Sequence, residues 1–319
     1  MSLLLNHSDF DLNPSEWGLE LALVTNLTFA WWNTSLAPSG ATRSTPLDRT
    51  IACRVISNLI TQVGADFIAL GEMSEVDLEA IRFICQEFDF EIKSEITKSG
   101  RSQFDICYAY NKNKIAVVES KDIVDGVGSS ILRIAKRIDI VTPGDDTIIH
   151  LLVSHWPSRL YCYKDHSDRH LYALRLRDQF TRLVEDYGPN PYVVMLGDYN
   201  DEPFDASLCD QLKASRDVDL VRKRKHLLYN PFWQYLAKRS EAHHGAGSYY
   251  YKDGKVTKWH TFDQLIFSQA FLTSKSWMYR HCHDLVHEIP ELVELILNPK
   301  MRFDHLPVFG RVERISQNG

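Results

Sequence analysis

The sequence predicts an α/β protein built around more than one β-sheet. Short apolar runs of the buried-strand kind alternate with amphipathic helical segments along the chain. Of the 319 residues, 44% are hydrophobic and 24% are charged, which is typical of a globular protein and not of a disordered or collagen-like chain. Neither a repeat nor a Pro/Gly/Ser-rich linker interrupts the alternation, so we expect one domain over residues 1–319.

The first quarter of the chain contains two strand–helix units. Residues 22–32 predict a strand that places Asn33 at its end, and the helix that follows is expected to end at Gly64. The wholly apolar run 67–70 predicts a buried strand, after which Ser74 caps a second helix.

Strand-like segments dominate the rest of the chain. They lie at 105–110, 114–119, 130–141, 147–154, 192–196, 263–268 and 306–314. A long helix is predicted over 168–187, and residues 205–260 mix short helices with a hairpin predicted at Asp253-Gly254. We expect 205–260 to be a substrate-selecting insert and residues 1–21 to be an N-terminal extension.

Charge and composition limit the classes of function. With 36 basic and 42 acidic residues the net charge is −6, so a polyanionic partner would have to be met locally or through a bound metal ion. No run approaches the ~18–20 apolar residues of a membrane span, and the start of the chain lacks the basic region of a signal peptide. Six scattered cysteines without a CxxC pair indicate reduced thiols, and these features together predict a cytoplasmic location.

Polar side chains stand at the ends of the predicted strands. These residues are Asn33, Glu72, His155, Asp198, Asn200, Asp304 and His305. Strand ends are rigid positions at which polar groups converge without burying unpaired charge. If the chain stays extended after the strand at 192–196, Asp198 and Asn200 share one face and Tyr199 takes the other.

This set of side chains suits phosphate chemistry with a divalent metal. Glu72 and Asp198 supply the hard carboxylate oxygens that Mg²⁺ or Mn²⁺ binds. Asn33 and Asn200 would donate to phosphate oxygens without adding charge, and the two histidines would stabilise negative charge in the transition state. The sequence has neither a Gly-rich P-loop nor a GxSxG motif, which argues against Walker-type NTP hydrolysis and serine hydrolysis.

Six segments, in order between residues 22 and 310, resemble the endonuclease/exonuclease/phosphatase superfamily. They are Trp32-Asn33, Gly71-Glu72, Ser154-His155-Trp156-Pro157-Ser158, Gly197-Asp198-Tyr199-Asn200-Asp201-Glu202-Pro203, Phe262-Asp263-Gln264-Leu265-Ile266-Phe267-Ser268 and Asp304-His305-Leu306-Pro307-Val308. The superfamily includes deoxyribonuclease I, exonuclease III-like repair nucleases, neutral sphingomyelinases and inositol polyphosphate 5-phosphatases. The resemblance implies a deoxyribonuclease I-like four-layer sandwich, in which two mixed β-sheets pack face to face between helices, with one active site at a sheet edge.

Carried over position by position, the resemblance implies which residues bind metal and substrate. Glu72 would be the main ligand of a Mg²⁺ or Mn²⁺ ion, with Asn33 beside it and Asp304 near the metal. His155 and Asn200 would hold the scissile phosphate, with Asn33 also on the substrate side.

The resemblance also implies the catalytic roles, in which His155 and Asn200 take part through the phosphate. Asp198 would orient and deprotonate the attacking water, and His305 would stabilise the charge that develops around phosphorus. Asp263 would accept a hydrogen bond from His305, fix its tautomer and favour the imidazolium form.

Three positions depart from the superfamily pattern. Position 35 is Ser, where repair endonucleases favour Asn or Asp, and this weakens a DNA-repair assignment. Gly71 stands before Glu72 where Gln is more usual, and Phe303 stands before Asp304 where Ser is more usual. None of the three removes a residue expected to contact metal or phosphate.

Other features allow both a functional and a structural interpretation. The basic run 222–226 and the aromatic residues after it would track a nucleic-acid strand or form a solvated helix face, and the second is slightly favoured. Arg159, Arg169 and Arg175 would bind phosphate or, for the latter two, lie on a helix surface. The tyrosines at 249–251 would floor a substrate cleft or fill a sheet edge.

The expected function is metal-dependent hydrolysis of a phosphodiester bond, most readily that of DNA or RNA by a nuclease. The alternative substrate is a small phosphoester, such as a nucleotide signal, a phosphoinositide or a phospholipid headgroup, which the negative charge and Ser35 favour. A second alternative is a non-catalytic binding module on the same fold.

Overall fold

A computed structural model describes residues 24–38, 43–99, 102–127, 130–238 and 245–315. The predicted extension at 1–21, the first two residues of the strand predicted at 22–32, and residues 239–244 of the predicted insert lie outside these ranges.

Two large mixed β-sheets form the centre of the described structure. Its strands are β1 (Asn26–Asn33), β2 (Phe67–Gly71), β3 (Phe90–Ser94), β4 (Thr97–Ser99), β5 (Ser102–Phe104), β6 (Cys107–Asn111), β7 (Ala116–Val127), β8 (Ser130–Thr142), β9 (Asp145–His155), β10 (Tyr192–Asp198), β11 (Ala214–Ser215), β12 (Leu228–Tyr229), β13 (Tyr249–Tyr250), β14 (Trp259–His260), β15 (Asp263–Ser268), β16 (Trp277–Arg280) and β17 (Val308–Arg314). The six-stranded sheet has the order β16-β17-β1-β2-β6-β3, and the seven-stranded sheet has the order β11-β12-β15-β10-β9-β8-β7.

Helices cover the outer surfaces of the sheets. They are α1 (Pro46–Asn58), which continues as a π-helical turn (Leu59–Val63), α2 (Glu75–Glu87), α3 (Ser167–Tyr187), α4 (Val218–Lys223), α5 (Ala270–Thr273) and α6 (Pro290–Leu297). A 3₁₀ segment spans Pro231–Ala237 and a second π turn spans Ser207–Gln211. Within the described ranges, no helix has the length and apolarity needed to cross a bilayer.

The alternation of side chains along β10 shows how the layers stack. Val194 and Leu196 point into the core shared by the two sheets, whereas Val193 and Met195 pack with α3 residues such as Leu176. Successive residues of a strand face opposite sides, so a strand that is buried on both faces must lie between two layers. The predicted sandwich of two mixed sheets flanked by helices is therefore confirmed.

Local sequence signals account for most element boundaries. The Ser74 hydroxyl accepts from the backbone N–H of Asp77 while the Asp77 side chain accepts from the backbone N–H of Ser74, the capping box expected at this position. The hairpin predicted at Asp253-Gly254 exists between β13 and β14, but its turn is a longer loop over 251–258. The short strands β3 and β16, which the sequence analysis did not predict, pair at opposite edges of the six-stranded sheet.

Candidate active site

Parallel strand pairs in each sheet bring four of the predicted residues to one edge. In the six-stranded sheet β1 runs parallel to β2, and Asn33 lies opposite Gly71, directly before Glu72. In the seven-stranded sheet β9 runs parallel to β10, and His155 lies opposite Asp198. Because parallel strands end at the same side of a sheet, these side chains leave the sheets together.

Two more residues reach this edge from the C-terminal part of the chain. Asp263 begins β15 and pairs with Asp198 in antiparallel register. His305 lies just before β17 and forms an isolated bridge with Tyr249, whose ring packs 4.6 Å from the His305 ring.

Hydrogen bonds between the two sheets join these groups into one site. Asn33 Nδ2 donates to Asp198 Oδ2 at 3.3 Å, and His305 Nδ1 lies 2.8 Å from Asp263 Oδ2. Trp31 Nε1 donates to Asp263 Oδ1 at 2.7 Å, again from one sheet to the other. The site residues that the sequence analysis named therefore meet at the edge where the two sheets face each other.

Two glycines permit this close approach. Gly197 has φ 152°, and a Cβ there would lie 1.8 Å from the carbonyl oxygen of Ser154, so only glycine lets β10 pass β9 just before Asp198. A Cβ at Gly71 would lie 2.7 Å from the six-membered ring of Trp31. The glycine at position 71, a departure from the superfamily pattern, thus makes room for the indole that binds Asp263.

The Asp263–His305 pair holds a charged imidazole in the buried part of the site. Burial alone would lower the pKa of His305, but the Asp263 carboxylate outweighs it and, with Asp304 and Asp198, raises the pKa to about 10. Nδ1 donates its proton to Asp263, so Nε2 is the nitrogen that faces Asp198 Oδ2 at 3.8 Å and Asp304 Oδ1 at 3.9 Å. At neutral pH His305 is an imidazolium whose Nε2–H points into the site.

Asp198 is a deeply buried carboxylate of the candidate site. Only 1% of it is exposed, and burial together with the nearby Asp263 carboxylate raises its pKa. Its Oδ1 accepts from the backbone N–H of Asn200 at 2.8 Å, and its Oδ2 from Asn33, so its direction is fixed. A fixed carboxylate of raised pKa is suited to accept a proton.

A second histidine–aspartate pair, which the sequence analysis missed, supports His155. Asp105 Oδ1 lies 2.9 Å from His155 Nδ1, and despite burial, which would lower it, Asp105 raises the pKa of His155 to about 9. Burial would raise the pKa of Asp105, but His155 outweighs it and the pKa is lowered. The strand predicted at 105–110 begins at Cys107, and this leaves Asp105 in the preceding loop at the sheet edge. The sequence offered one signal for this role of Asp105, namely its position as an acidic residue at the start of an apolar run.

Glu72 follows β2 with a positive φ of 53° and is half-buried. Burial raises its pKa to about 7, although His155 acts to lower it. The Asp304 and Asp105 carboxylates also raise the pKa, because nearby like charges disfavour ionisation. A divalent cation would relieve this excess of negative charge, so the donor set around Glu72 fits Mg²⁺ or Mn²⁺.

Ser35 orients Asp304 towards this charged cluster. Its hydroxyl donates to Asp304 Oδ1 at 2.6 Å, and its backbone N–H donates to Asn33 Oδ1 at 3.1 Å. The amide oxygen of Asn33 therefore already has one partner, and its second lone pair is the one left for a metal. Ser35, another departure from the superfamily pattern, thus has a defined contact within the site.

A different set of ligand atoms, those of Asp198, Asp263 and His305, lies within 4.8 Å of one another among the described residues. Their proximity follows from the His305–Asp263 bond, and both oxygens of Asp263 are already used by His305 and Trp31. Asp263 is fully buried, so a cation there would lack the open position that a substrate needs. We therefore place the candidate metal position at Glu72.

The expected extended course after Asp198 is wrong for Asn200. Its φ of 52° is left-handed, because the chain turns sharply as it leaves β10, and Asn tolerates this conformation better than most residues. Its Nδ2 donates to the carbonyl of Trp156 at 3.0 Å, which leaves the second amide hydrogen for a phosphate oxygen. Tyr199 is fully buried beneath the site, where it packs on Trp156.

The arginines after His155 have separate environments. Arg169 is 1% exposed and donates to the carbonyl groups of Pro157, Tyr163 and Tyr199, so the surface-helix interpretation is wrong and its guanidinium holds loops together. Arg175 is exposed and pairs with acidic neighbours on the surface. Arg159 donates to the backbone carbonyl of Asn200 at 2.8 Å, directly beside the site.

Comparison with known proteins agrees with this architecture. The model of the Endonuclease/Exonuclease/phosphatase family matches residues 52–290. The chain belongs to that family. No curated protein matches it.

Solved structures of the family share the fold at low sequence identity. The human nocturnin catalytic domain with bound sulfate superposes with a TM-score of 0.59 at 14% identity, covering 91% of this chain and 96% of that one. The D. rerio TDP2 complexed with single strand DNA product gives 0.57 at 12% identity, covering 91% and 100%. A Bacteroides vulgatus endonuclease/exonuclease/phosphatase gives 0.57 at 14% identity, covering 91% and 100%.

Proposed function

We propose that this family member is a Mg²⁺- or Mn²⁺-dependent hydrolase of phosphodiester bonds, and specifically a nuclease. The observation that carries the proposal is the convergence of Asp198, the Asp263–His305 pair and Glu72 at one sheet edge. Such a site combines a base, a charged donor and an acidic cation position, and metal-dependent hydrolysis of a phosphodiester uses all three.

The protein's own groups would divide the work. Asp198, fixed by Asn33 and the backbone of Asn200, would take the proton of the attacking water. His305 would donate its Nε2–H to a phosphate oxygen as charge develops there, with Asp263 holding the ring.

A second set of donors would hold the phosphate from the opposite side. His155, kept charged by Asp105, and the free amide hydrogen of Asn200 are within the same edge and would orient the substrate. Glu72 would hold the metal, with Asp304 and Asn33 beside it. When bound, that ion would neutralise charge on the phosphate and lower the pKa of a bound water.

We further propose that the catalytic unit spans residues 1–319, works in the cytoplasm, and selects its substrate with residues 205–260. The position of this segment supports the last point, since Tyr249 packs on His305 and His260 packs on Phe262 next to it.

The test is a substrate panel with purified protein. Labelled single- and double-stranded DNA and RNA are compared with bis(p-nitrophenyl) phosphate and small phosphomonoesters, in Mg²⁺, Mn²⁺ or EDTA. We expect metal-dependent cleavage of an oligonucleotide, and a loss of several orders of magnitude in Asp198→Ala. The exposed Asp186→Ala on α3 is the matched control and should keep the wild-type rate.

The panel also decides between the alternatives. The net charge of −6 favours a small phosphoester, and cleavage of such a compound with all nucleic acids intact would replace the nuclease assignment. Wild-type activity in Asp198→Ala or in EDTA would refute the proposed mechanism. Absence of both hydrolysis and metal binding would indicate a binding module.

A further inference from the structure

An open groove lies beside the candidate site, and none of the residues proposed to bind metal or to catalyse hydrolysis lines it. It encloses about 840 Å³ and is lined by side chains from the loop after His155, from the segment after β10 (Glu202 and Phe204), from residues 235–238 and 246–261, and by Leu297. Leu236, at its border, also lines a second hollow of about 430 Å³. We call the two together the aromatic–basic groove.

Charge in this groove is opposite to that of the whole chain. Arg159, Lys164, Lys238 and Lys258 line the larger hollow, whereas Glu202 is its only acidic lining residue among those described. The second hollow adds Arg216. In a chain of net charge −6, this local excess of positive charge is complementary to a polyanion.

Each of these cations lies over an aromatic ring. Lys258 lies 5.5 Å from the ring centre of Tyr250, Lys238 4.4 Å from Tyr235 and Lys164 5.5 Å from Phe204. The two arginines repeat the arrangement, Arg159 at 4.5 Å from Phe262 and Arg216 at 5.1 Å from Trp233. Both hollows therefore bring cations and aromatic rings into direct contact.

Some of the rings and cations still have capacity for a ligand. Phe204 is 42% exposed, and the buried indole nitrogen of Trp233 has no hydrogen-bond partner among the described residues. Lys238, Lys164 and Arg159 also contact carboxylates, at 2.7 Å, 2.8 Å and 3.2 Å, so a bound anion would share these three cations.

Contacts between neighbouring side chains connect the groove to the catalytic edge. Arg159 binds the backbone carbonyl of Asn200 and lies over Phe262. Phe262 stacks on Tyr249 at 5.2 Å, and Tyr249 packs on His305 at 4.6 Å. Arg159 therefore belongs both to the lining of the groove and to the surroundings of Asn200, so the groove begins next to the candidate site.

We propose that the aromatic–basic groove binds the single-stranded nucleic acid that flanks the scissile phosphate. The inference rests on the proposed function and names its substrate class. Unpaired bases would stack on exposed rings such as Phe204, while phosphates would contact the interleaved cations. A duplex keeps its bases stacked inside the helix and cannot use the ring faces.

A membrane surface is the competing partner. Val256 is 98% exposed at the groove rim and Leu160 is 80% exposed on the loop after His155, as for residues that enter a bilayer. The cations, however, line a groove together with aromatic rings, an arrangement that matches the phosphates and bases of a strand and not lipid headgroups alone. The observations therefore favour a flexible strand.

Binding is measured apart from hydrolysis by fluorescence anisotropy in EDTA. The probes are labelled single-stranded DNA and RNA of about 12 nucleotides, the corresponding DNA duplex, and phosphatidylcholine/phosphatidylserine vesicles by co-sedimentation. We expect the single strands to bind more tightly than the duplex, with an affinity that falls as salt rises.

Two variants with matched controls locate the binding site. Phe204→Ala should weaken single-strand binding about 5- to 150-fold, whereas Phe83→Ala, which removes a still more exposed ring on α2, should not. Lys238→Gln/Lys258→Gln should weaken binding and reduce the salt slope by about 0.7 for each lost phosphate contact. Lys93→Gln/Lys112→Gln removes two exposed lysines outside the groove and makes the same change in net charge.

The outcomes separate this inference from the proposed function. Equal weakening by groove and control variants, tighter duplex binding, or binding to vesicles alone would overturn the groove assignment. Groove-dependent binding without hydrolysis in Mg²⁺ or Mn²⁺ would refute the proposed function and leave the groove assignment standing. Thermal denaturation of each variant verifies that it is folded.

Discussion

Trp31 and Asp263, 232 positions apart, join the two sheets through a buried hydrogen bond of 2.7 Å at the base of the candidate site. The other oxygen of Asp263 binds His305, so one carboxylate connects the structural core to the imidazole that we propose to be catalytic. Gly71 leaves the space that the indole of Trp31 occupies.

This relationship predicts an energetic coupling between Trp31 and Gly71. Trp31→Phe leaves a buried oxygen of Asp263 without its donor and should cost about 1–3 kcal/mol of unfolding free energy. Gly71→Ala should also destabilise, because its methyl group meets the indole. In the double variant the smaller ring removes that clash, so the losses should fall short of additive by about 0.5–3 kcal/mol in denaturant unfolding. Strict additivity would contradict the packing described.

Asp105 should control the charge of His155. Because the carboxylate raises the pKa of the imidazole to about 9, Asp105→Asn should lower that pKa and reduce the charged fraction of His155 at pH 8. NMR titration of the metal-free protein measures the change directly. An unchanged His155 pKa in Asp105→Asn would show that the pair does not act as described.

Ser35 should influence metal affinity through Asp304. Ser35→Ala removes the hydroxyl that orients this carboxylate, and loss of such a partner typically costs about 10–100-fold in metal affinity. Calorimetric titration with Mn²⁺ measures the effect. Ser120→Ala removes an equivalent hydroxyl–carboxylate bond, to Glu95 on the surface, and should leave the affinity unchanged.

A buried charge network away from the site, formed by Asp139, His150 and Arg137, should make the stability of the folded protein sensitive to acid. Burial would raise the pKa of Asp139, but His150 and Arg137 outweigh it and lower the pKa below its ordinary value. A depressed pKa contributes stability above the unfolded-state value of about 3.9, and this stability is lost as pH falls through the folded value. Asp139→Asn should cost about 3–5 kcal/mol at pH 7 and give a flatter dependence on pH below about 4. An equally steep acid transition in the variant would contradict this assignment.

Sequence patterns predicted the elements whose signals are local. The apolar run 67–70 and the capping box at Ser74 each depend on neighbouring residues, and both appear as expected. The strands β3 and β16 were missed because each is short, half-exposed and specified by pairing at a sheet edge.

The same distinction applies to the candidate site. The polar residues at strand ends could be named because strand ends are visible in the sequence. The Asp105–His155 pair and the Ser35–Asp304 bond could not, since they join positions 50 and 269 residues apart and depend on how two sheets pack. The extended backbone course expected at Asn200 was wrong because the left-handed turn after Asp198 leaves no signal that distinguishes it from extended chain.

The most direct test of the whole account is Mn²⁺ binding measured by calorimetry in the wild type, Glu72→Gln and Asp263→Asn. The account predicts that binding is lost in Glu72→Gln and retained in Asp263→Asn, whose carboxylate serves His305 and Trp31. Retention of full Mn²⁺ affinity in Glu72→Gln would contradict the account, because the ion would then bind somewhere other than the candidate position at Glu72.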